Sequence, residues 1–185
     1  LISGGTVITA IDITAADVLI EDETVVAIAV PGSHSWGDDA DKVIDATGKY
    51  VVPGGVDPHT HMELPFGGTF ASDNFESGTR AAAWGGTTTI VDFAVQTKGE
   101  SLLGGFDVWM AKAEGECAID YGFHMIAGDI NDESLAEMDT LIEKGVTSFK
   151  LFMAYPGVLY SDDGAILRAM QKAAQTGTLI MMHAE

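Results

Sequence analysis

Residues 54–61 read Gly-Gly-Val-Asp-Pro-His-Thr-His, and four further apolar runs follow: TTTIVDF at 87–93, IDYGFHMI at 119–126, TSFKLFM at 147–153 and TLIMMHAE at 178–185. Each is short and rich in β-branched or aromatic residues, as strands covered on both faces are. Helical patterns lie between them. In SLAEMDTLIEKG, Leu135, Met138, Leu141 and Ile142 share one face, Asp132 is the expected N-cap, and Gly145 stands where the helix should stop. DGAILRAMQKAAQTG repeats the scheme with Ile166, Leu167, Met170 and Ala174, closed by Gly177. SDNFESGTRAAAWGG does so more weakly, because Gly78 interrupts it. The runs recur about every 31 residues, the length of a βα unit, and eight such units make a TIM barrel of about 250 residues. The expected fold class is α/β: a partial TIM (β/α)8 barrel of about the first five strands, truncated, over residues 53–185.

Ahead of it, residues 1–52 look all-β, the N-terminal part of a small β-sandwich-like domain. LISGGTVITA, DVLIEDETVVAIA and DKVIDATGKYVV are β-branched runs divided by turn residues, and Glu21-Asp22-Glu23 reads as a hairpin turn. PGSHSWGDDAD at 31–41 reads as a polar loop.

Composition narrows the function. Nine basic against 28 acidic residues give a net charge of −19, which argues against nucleic acid and anionic membrane surfaces as partners. With 46 % hydrophobic residues the chain can build a core. One cysteine, Cys117, excludes an internal disulfide framework and suits a reducing compartment. No run of about 18 apolar residues exists to span a bilayer. The opening residues lack the basic start of a signal peptide, so the expected address is cytoplasmic.

The chemistry begins at His59 and His61. Residues two apart on a strand point to one face, so both can reach one cation, at the barrel end where active sites of this architecture sit. Alone, the pair is equally a feature of a solvated loop. Lys150 sits inside Phe149-Lys150-Leu151-Phe152-Met153, where a charge is out of character. If Phe149 and Leu151 face the helices, Ser148, Lys150 and Phe152 face the barrel interior. Alone, Lys150 is more simply a snorkelling side chain, and His183, closing the fifth run, a satisfied core histidine. All four, however, fall at the C-terminal ends of the first, fourth and fifth expected strands.

With VVPGGVDPHTH, PFGGT, AAAWGGTTTIVDF, SFKLFMAY and MMHAE in this order, the chain resembles the cyclic-amidohydrolase branch of the amidohydrolase superfamily, and is most similar to dihydropyrimidinases and hydantoinases. The resemblance implies two divalent metal ions, commonly zinc. His59 and His61 would bind the buried ion, and His183 the second. Lys150, carboxylated by carbon dioxide to N6-carboxylysine, would bridge both. A histidine from strand six and an aspartate from strand eight, which the family also uses, lie outside this chain, so these residues alone are expected to be inactive. Tyr155 matches the tyrosine whose hydroxyl polarises the scissile carbonyl and binds substrate. Leu64, Phe66, Phe152 and Leu159 are candidates for the apolar wall around the ring substituent, with plain packing the alternative. The implied reaction is metal-dependent hydrolysis of a 5,6-dihydropyrimidine or 5-substituted hydantoin to an N-carbamoyl amino acid, by a homotetramer when full length. The alternatives are an allantoinase-like hydrolase and a non-catalytic dihydropyrimidinase-related scaffold. Dihydroorotase fits poorly, because Glu63 would repel the carboxylate of its substrate.

Other residues read blandly. His124 lies inside an apolar run and belongs to the core; His34 is on a loop. Cys117 has no activating base and reads as a structural thiol. Asp57 and Asp92 are expected to orient ligands rather than bind metal. The glycine pairs 67–68 and 85–86 lack the following Lys-Ser or Lys-Thr of a phosphate loop.

Overall fold

A computed structural model describes residues 1–184. The chain divides into two compact units, Leu1–Pro53 and a second that begins at Gly54.

In the first unit, β1 (Ile2–Ile8), β2 (Ile13–Glu21) and β3 (Thr24–Ala29) pair antiparallel. The β2–β3 turn is Asp22-Glu23, closed by the Glu21–Thr24 pair, with Asp22 at φ 52°. That left-handed conformation matches the twist of a two-residue hairpin. The segment expected as loop contains one helical turn, α1 (Trp36–Asp39), with Asp38 and Asp39 suited to its positive end. Two short strands, β4 (Ile44–Asp45) and β5 (Tyr50–Val51), pair parallel with β1. These residues form one sheet, in which β4 and β5 extend the sheet of β1. Val7, Ala16 and Val18 form its buried cluster. Asp17 is buried beside them, its Oδ1 accepting from Gly4 N–H (2.7 Å) and Ser3 Oγ (3.0 Å) and its Oδ2 from Gly32 N–H (2.9 Å).

The second unit runs β6 (Gly55–Thr60), the hairpin β7 (Pro65–Phe66) and β8 (Thr69–Phe70), α2 (Phe75–Trp84), β9 (Thr87–Val95), α3 (Leu102–Ala113), β10 (Asp120–Ile126), α4 (Asp132–Glu143), β11 (Ser148–Phe152), α5 (Asp163–Thr176) and β12 (Leu179–His183). The long strands form one parallel sheet in chain order, β6-β9-β10-β11-β12. This is five strands of a TIM barrel, each crossover carrying its helix.

Alternation sorts the strand residues into two cores. Ile90, Ala94, Phe123, Met125, Phe149 and Leu151 face the helices and pack with Phe75, Leu102, Phe106, Met138, Leu141 and Ala169. Phe93, Ile126 and Phe152 face the other way and form a separate cluster inside the barrel. Each such side chain taken from water contributes about 1.5–3 kcal/mol.

Helix ends follow local chemistry. α4 is capped by Asn131 rather than Asp132. Ser134 N–H donates to Asn131 Oδ1 and Asn131 N–H returns a bond to Ser134 Oγ, both at 2.9 Å, a reciprocal box that leaves Asp132 as the first helical residue. α5 starts at the N-cap Asp162 and stops at Gly177 in the left-handed conformation (φ 76°). The helix with the least legible pattern is α3, which carries Gly104-Gly105 in its first turns. A Cβ at Gly105 would lie 2.7 Å from the Val95 carbonyl oxygen, so the glycine lets α3 lie flush on β9. Among the described residues no helix is long and apolar enough to cross a membrane.

Candidate active site

His59 lies near the end of β6, with its N–H donating to Asp57 Oδ1 (3.1 Å), and His61 just beyond the strand. Their rings meet edge-on, centroids 5.0 Å apart, with the two Nε2 atoms at 3.2 Å. Both rest on Phe93 of β9, at 4.8 and 4.9 Å. The Lys150 ammonium stands 5.1 Å from the same ring and 5.3 Å from that of Phe152. Phe152 stacks with its register partner His183 (5.3 Å), and Tyr155 completes the group, 5.5 Å from His183 and 5.6 Å from Phe66.

The two histidines, Lys150, Phe152, His183, Tyr155 and Phe66 line one cavity of about 640 Å³, with Phe93 packed behind them. His59, His61, Lys150 and His183 share it with Tyr155, Leu64, Phe66, Phe152 and Leu159. Every site residue singled out from the sequence is thus brought together. The structure adds Gln96, Thr97 and Lys98, from the loop after β9. Their position after a barrel strand was the only available signal, since nothing in their chemistry marks them. Gln96 is buried and stitches that loop: its Nε2 donates to Glu100 O (2.7 Å) and its Oε1 accepts from Asp129 N–H (3.0 Å).

Tyr155 sits at φ 60°, a conformation that costs a non-glycine residue about 1–2 kcal/mol. Its carbonyl accepts N–H bonds from Val158 (3.1 Å), Leu159 (3.1 Å) and Tyr160 (3.2 Å), which offset the strain and close the loop that carries Leu159 to the cavity.

Burial, then the charges of His59 and Lys150, hold His61 below the ordinary histidine range, which keeps the imidazole neutral with a lone pair to offer. Its Nδ1 is buried without a hydrogen-bond partner among the described residues. His124 is similarly lowered, chiefly by burial, but both its nitrogens are occupied. Nε2 lies 2.9 Å from the Pro58 carbonyl and must donate to it, leaving Nδ1 to accept from the Ser148 hydroxyl. His124 therefore buttresses the backbone before His59. Cys117 is pushed up to about 11, chiefly by burial, and is a poor nucleophile.

Among the described residues no three His, Cys, Asp or Glu side chains form a ready-made metal cage. The donors are imidazoles and Lys150, whose ammonium has no lone pair. The two Nε2 atoms, 3.2 Å apart with no other hydrogen-bond partner among the described residues, nevertheless fit a cation held between the rings. A carboxylated Lys150 would add the oxygen donors that the set lacks.

Residues 50–185 match the profile of the amidohydrolase family. The chain is 69 % identical over its whole length to a D-hydantoinase of Streptomyces coelicolor, and 50 % identical to one of Geobacillus stearothermophilus. It superposes over its full length on the crystal structure of a dihydropyrimidinase from Brevibacillus agri, with a TM-score of 0.94 and 51 % identity. It spans 40 %, 39 % and 39 % of those three proteins respectively.

Proposed function

Because the chain belongs to the amidohydrolase family, we propose that the full-length protein containing it opens a cyclic amide ring, a 5-substituted hydantoin or a 5,6-dihydropyrimidine, to give an N-carbamoyl amino acid. The observation that carries this reading is the convergence of His59, His61, Lys150, His183 and Tyr155 on one largely apolar cavity at the C-terminal ends of the strands. Relatives named D-hydantoinase support the hydantoin ring as the first substrate to test.

In this reading His59 and His61 hold one divalent cation and His183 a second, with zinc the expected metal. Lys150, as its neutral amine, would add to carbon dioxide and lose a proton, and the resulting carbamate would supply oxygen donors to help hold the cations. The bound cations supply Lewis acidity, polarising the ring carbonyl and acidifying water to near-neutral pKa. Tyr155 donates its hydroxyl to the carbonyl oxygen as negative charge builds there. Leu64, Phe66, Phe152 and Leu159 take the ring substituent and exclude water around the reacting amide. Water adds across the ring C–N bond, its hydroxyl going to the carbonyl carbon and its proton to the leaving nitrogen. The same reading makes the full-length protein a cytoplasmic homotetramer.

The test is ring opening of hydantoin and dihydrouracil by the full-length protein, followed spectrophotometrically with and without a chelator. Chelator-sensitive hydrolysis is expected. No hydrolysis of either ring by metal-replete protein would overturn the reading; turnover of allantoin would then favour an allantoinase-like enzyme, and its absence a non-catalytic scaffold.

A further inference from the structure

Among the described residues Asp92 is the one fully buried carboxylate of the barrel unit, and it does not line the cavity. It alternates with Phe93 along β9, between Ile90 and Ala94, which pack toward the helices. Its Oδ2 accepts from Thr60 Oγ1 (2.7 Å) and from Met62 N–H (2.8 Å), and its Oδ1 from Phe93 N–H (2.7 Å). Thr60 and Met62 are the residues immediately before and after His61.

The strand ladder fails at this point. Asp57 pairs with Ile90 and Thr60 with Asp92, so β6 holds an extra residue across Pro58-His59 relative to β9. Pro58 has no N–H to give, and Met62 lies beyond the strand. The ladder resumes only at the Thr60–Asp92 pair and ends there, so His61, whose Nε2 lies 3.2 Å from that of His59, has no strand partner of its own among the described residues.

We infer that Asp92 is a positioning residue for His61: its carboxylate clamps the chain on both sides of that histidine in place of the ladder that the β6 bulge breaks. An ionised carboxylate can accept from all three donors at once. An asparagine keeps the size but turns an N–H₂ toward at least one of them. The inference rests on the reading of His59 and His61 as metal ligands.

The experiment uses the full-length protein reconstituted with Co²⁺, comparing the parent with Thr60→Val, Thr60→Ser and Asp92→Asn. The readouts are the Co²⁺ absorption spectrum and the rate of metal loss to a chelator, with thermal unfolding of the metal-free proteins alongside. Loss of a supporting hydrogen bond weakens metal sites about 10–100-fold. Thr60→Val should therefore release metal at least about tenfold faster with an altered spectrum, and Thr60→Ser should restore both. Asp92→Asn should act in the same direction; should it fail to fold, the Thr60 pair still decides. Metal loss and spectra equal to the parent in Thr60→Val, whatever its unfolding temperature, would overturn the inference and leave Asp92 as core stitching. A parent that binds no Co²⁺ would overturn the metal reading and this inference together.

Discussion

Gly104 and Gly105 are neighbours in the first turns of α3, yet alanine should have opposite effects at the two. A Cβ at Gly104 meets only Ser101, at 3.6 and 3.7 Å, which is ordinary contact. There the substitution keeps its helix-propensity gain of about 0.5–1 kcal/mol. A Cβ at Gly105 would stand 2.7 Å from the Val95 carbonyl oxygen, 3.0 Å from Gln96 Cα and 3.0 Å from Met125 Cε. Backbone atoms cannot swing aside, so α3 must lift from β9, and overpacking of this kind costs about 1–3 kcal/mol. The propensity gain is common to both variants and cancels in their difference, which isolates the clash. Urea unfolding of full-length Gly104→Ala and Gly105→Ala should thus give stabilities about 1–3 kcal/mol apart, with Gly104→Ala above the parent. Equal stabilities would refute the close approach of α3 to β9. Because Gln96 lies both at the clash and in the cavity wall, Gly105→Ala should also raise KM, whereas Gly104→Ala should not.

Tyr155→Phe removes one hydroxyl donor from the carbonyl and should lower kcat for ring opening by about 10²–10³-fold with little change in KM, measured by steady-state kinetics. Glu137 of α4 caps α3, accepting from Ser101 Oγ (2.6 Å) and Leu102 N–H (2.7 Å). Glu137→Ala should cost about 1 kcal/mol in chemical denaturation. Asp17 is held below the ordinary carboxylate value of 3.8, first by the N–H of Gly32 and then by that of Gly4. A depressed folded pKa gives stability that is full above the unfolded value and lost as pH falls through the folded one. Asp17→Asn should therefore flatten the acid limb of unfolding below about pH 4, and an unchanged limb would remove Asp17 from the account.

The five barrel strands were legible because a parallel strand covered on both faces must be an unbroken apolar run. Of the polar residues that interrupt those runs, His59, Lys150 and His183 share the cavity, whereas Asp92 and His124 do not. What stayed hidden depends on contacts made at a distance. The glycines of α3 weaken its helical signal and serve the neighbouring strand. The Asn131 cap outranks Asp132 only through its reciprocal bond with Ser134. The β-branched run at 41–52 forms two short pairings on β1. Gln96 has no chemical signature along the chain, and its role appears only once Glu100 and Asp129 surround it.

Phe93 touches His59, His61, His124 and Lys150 at once. Four polar groups that rest on one aromatic plate cannot drift independently over evolutionary time. A change of the plate's size moves all of them, and substitutions among them should combine non-additively. Diversification is thereby directed outward, to the β7–β8 hairpin and the loop closed on the Tyr155 carbonyl. Their side chains border the cavity without standing on that plate, so a new ring substituent can be accommodated while the floor keeps its shape.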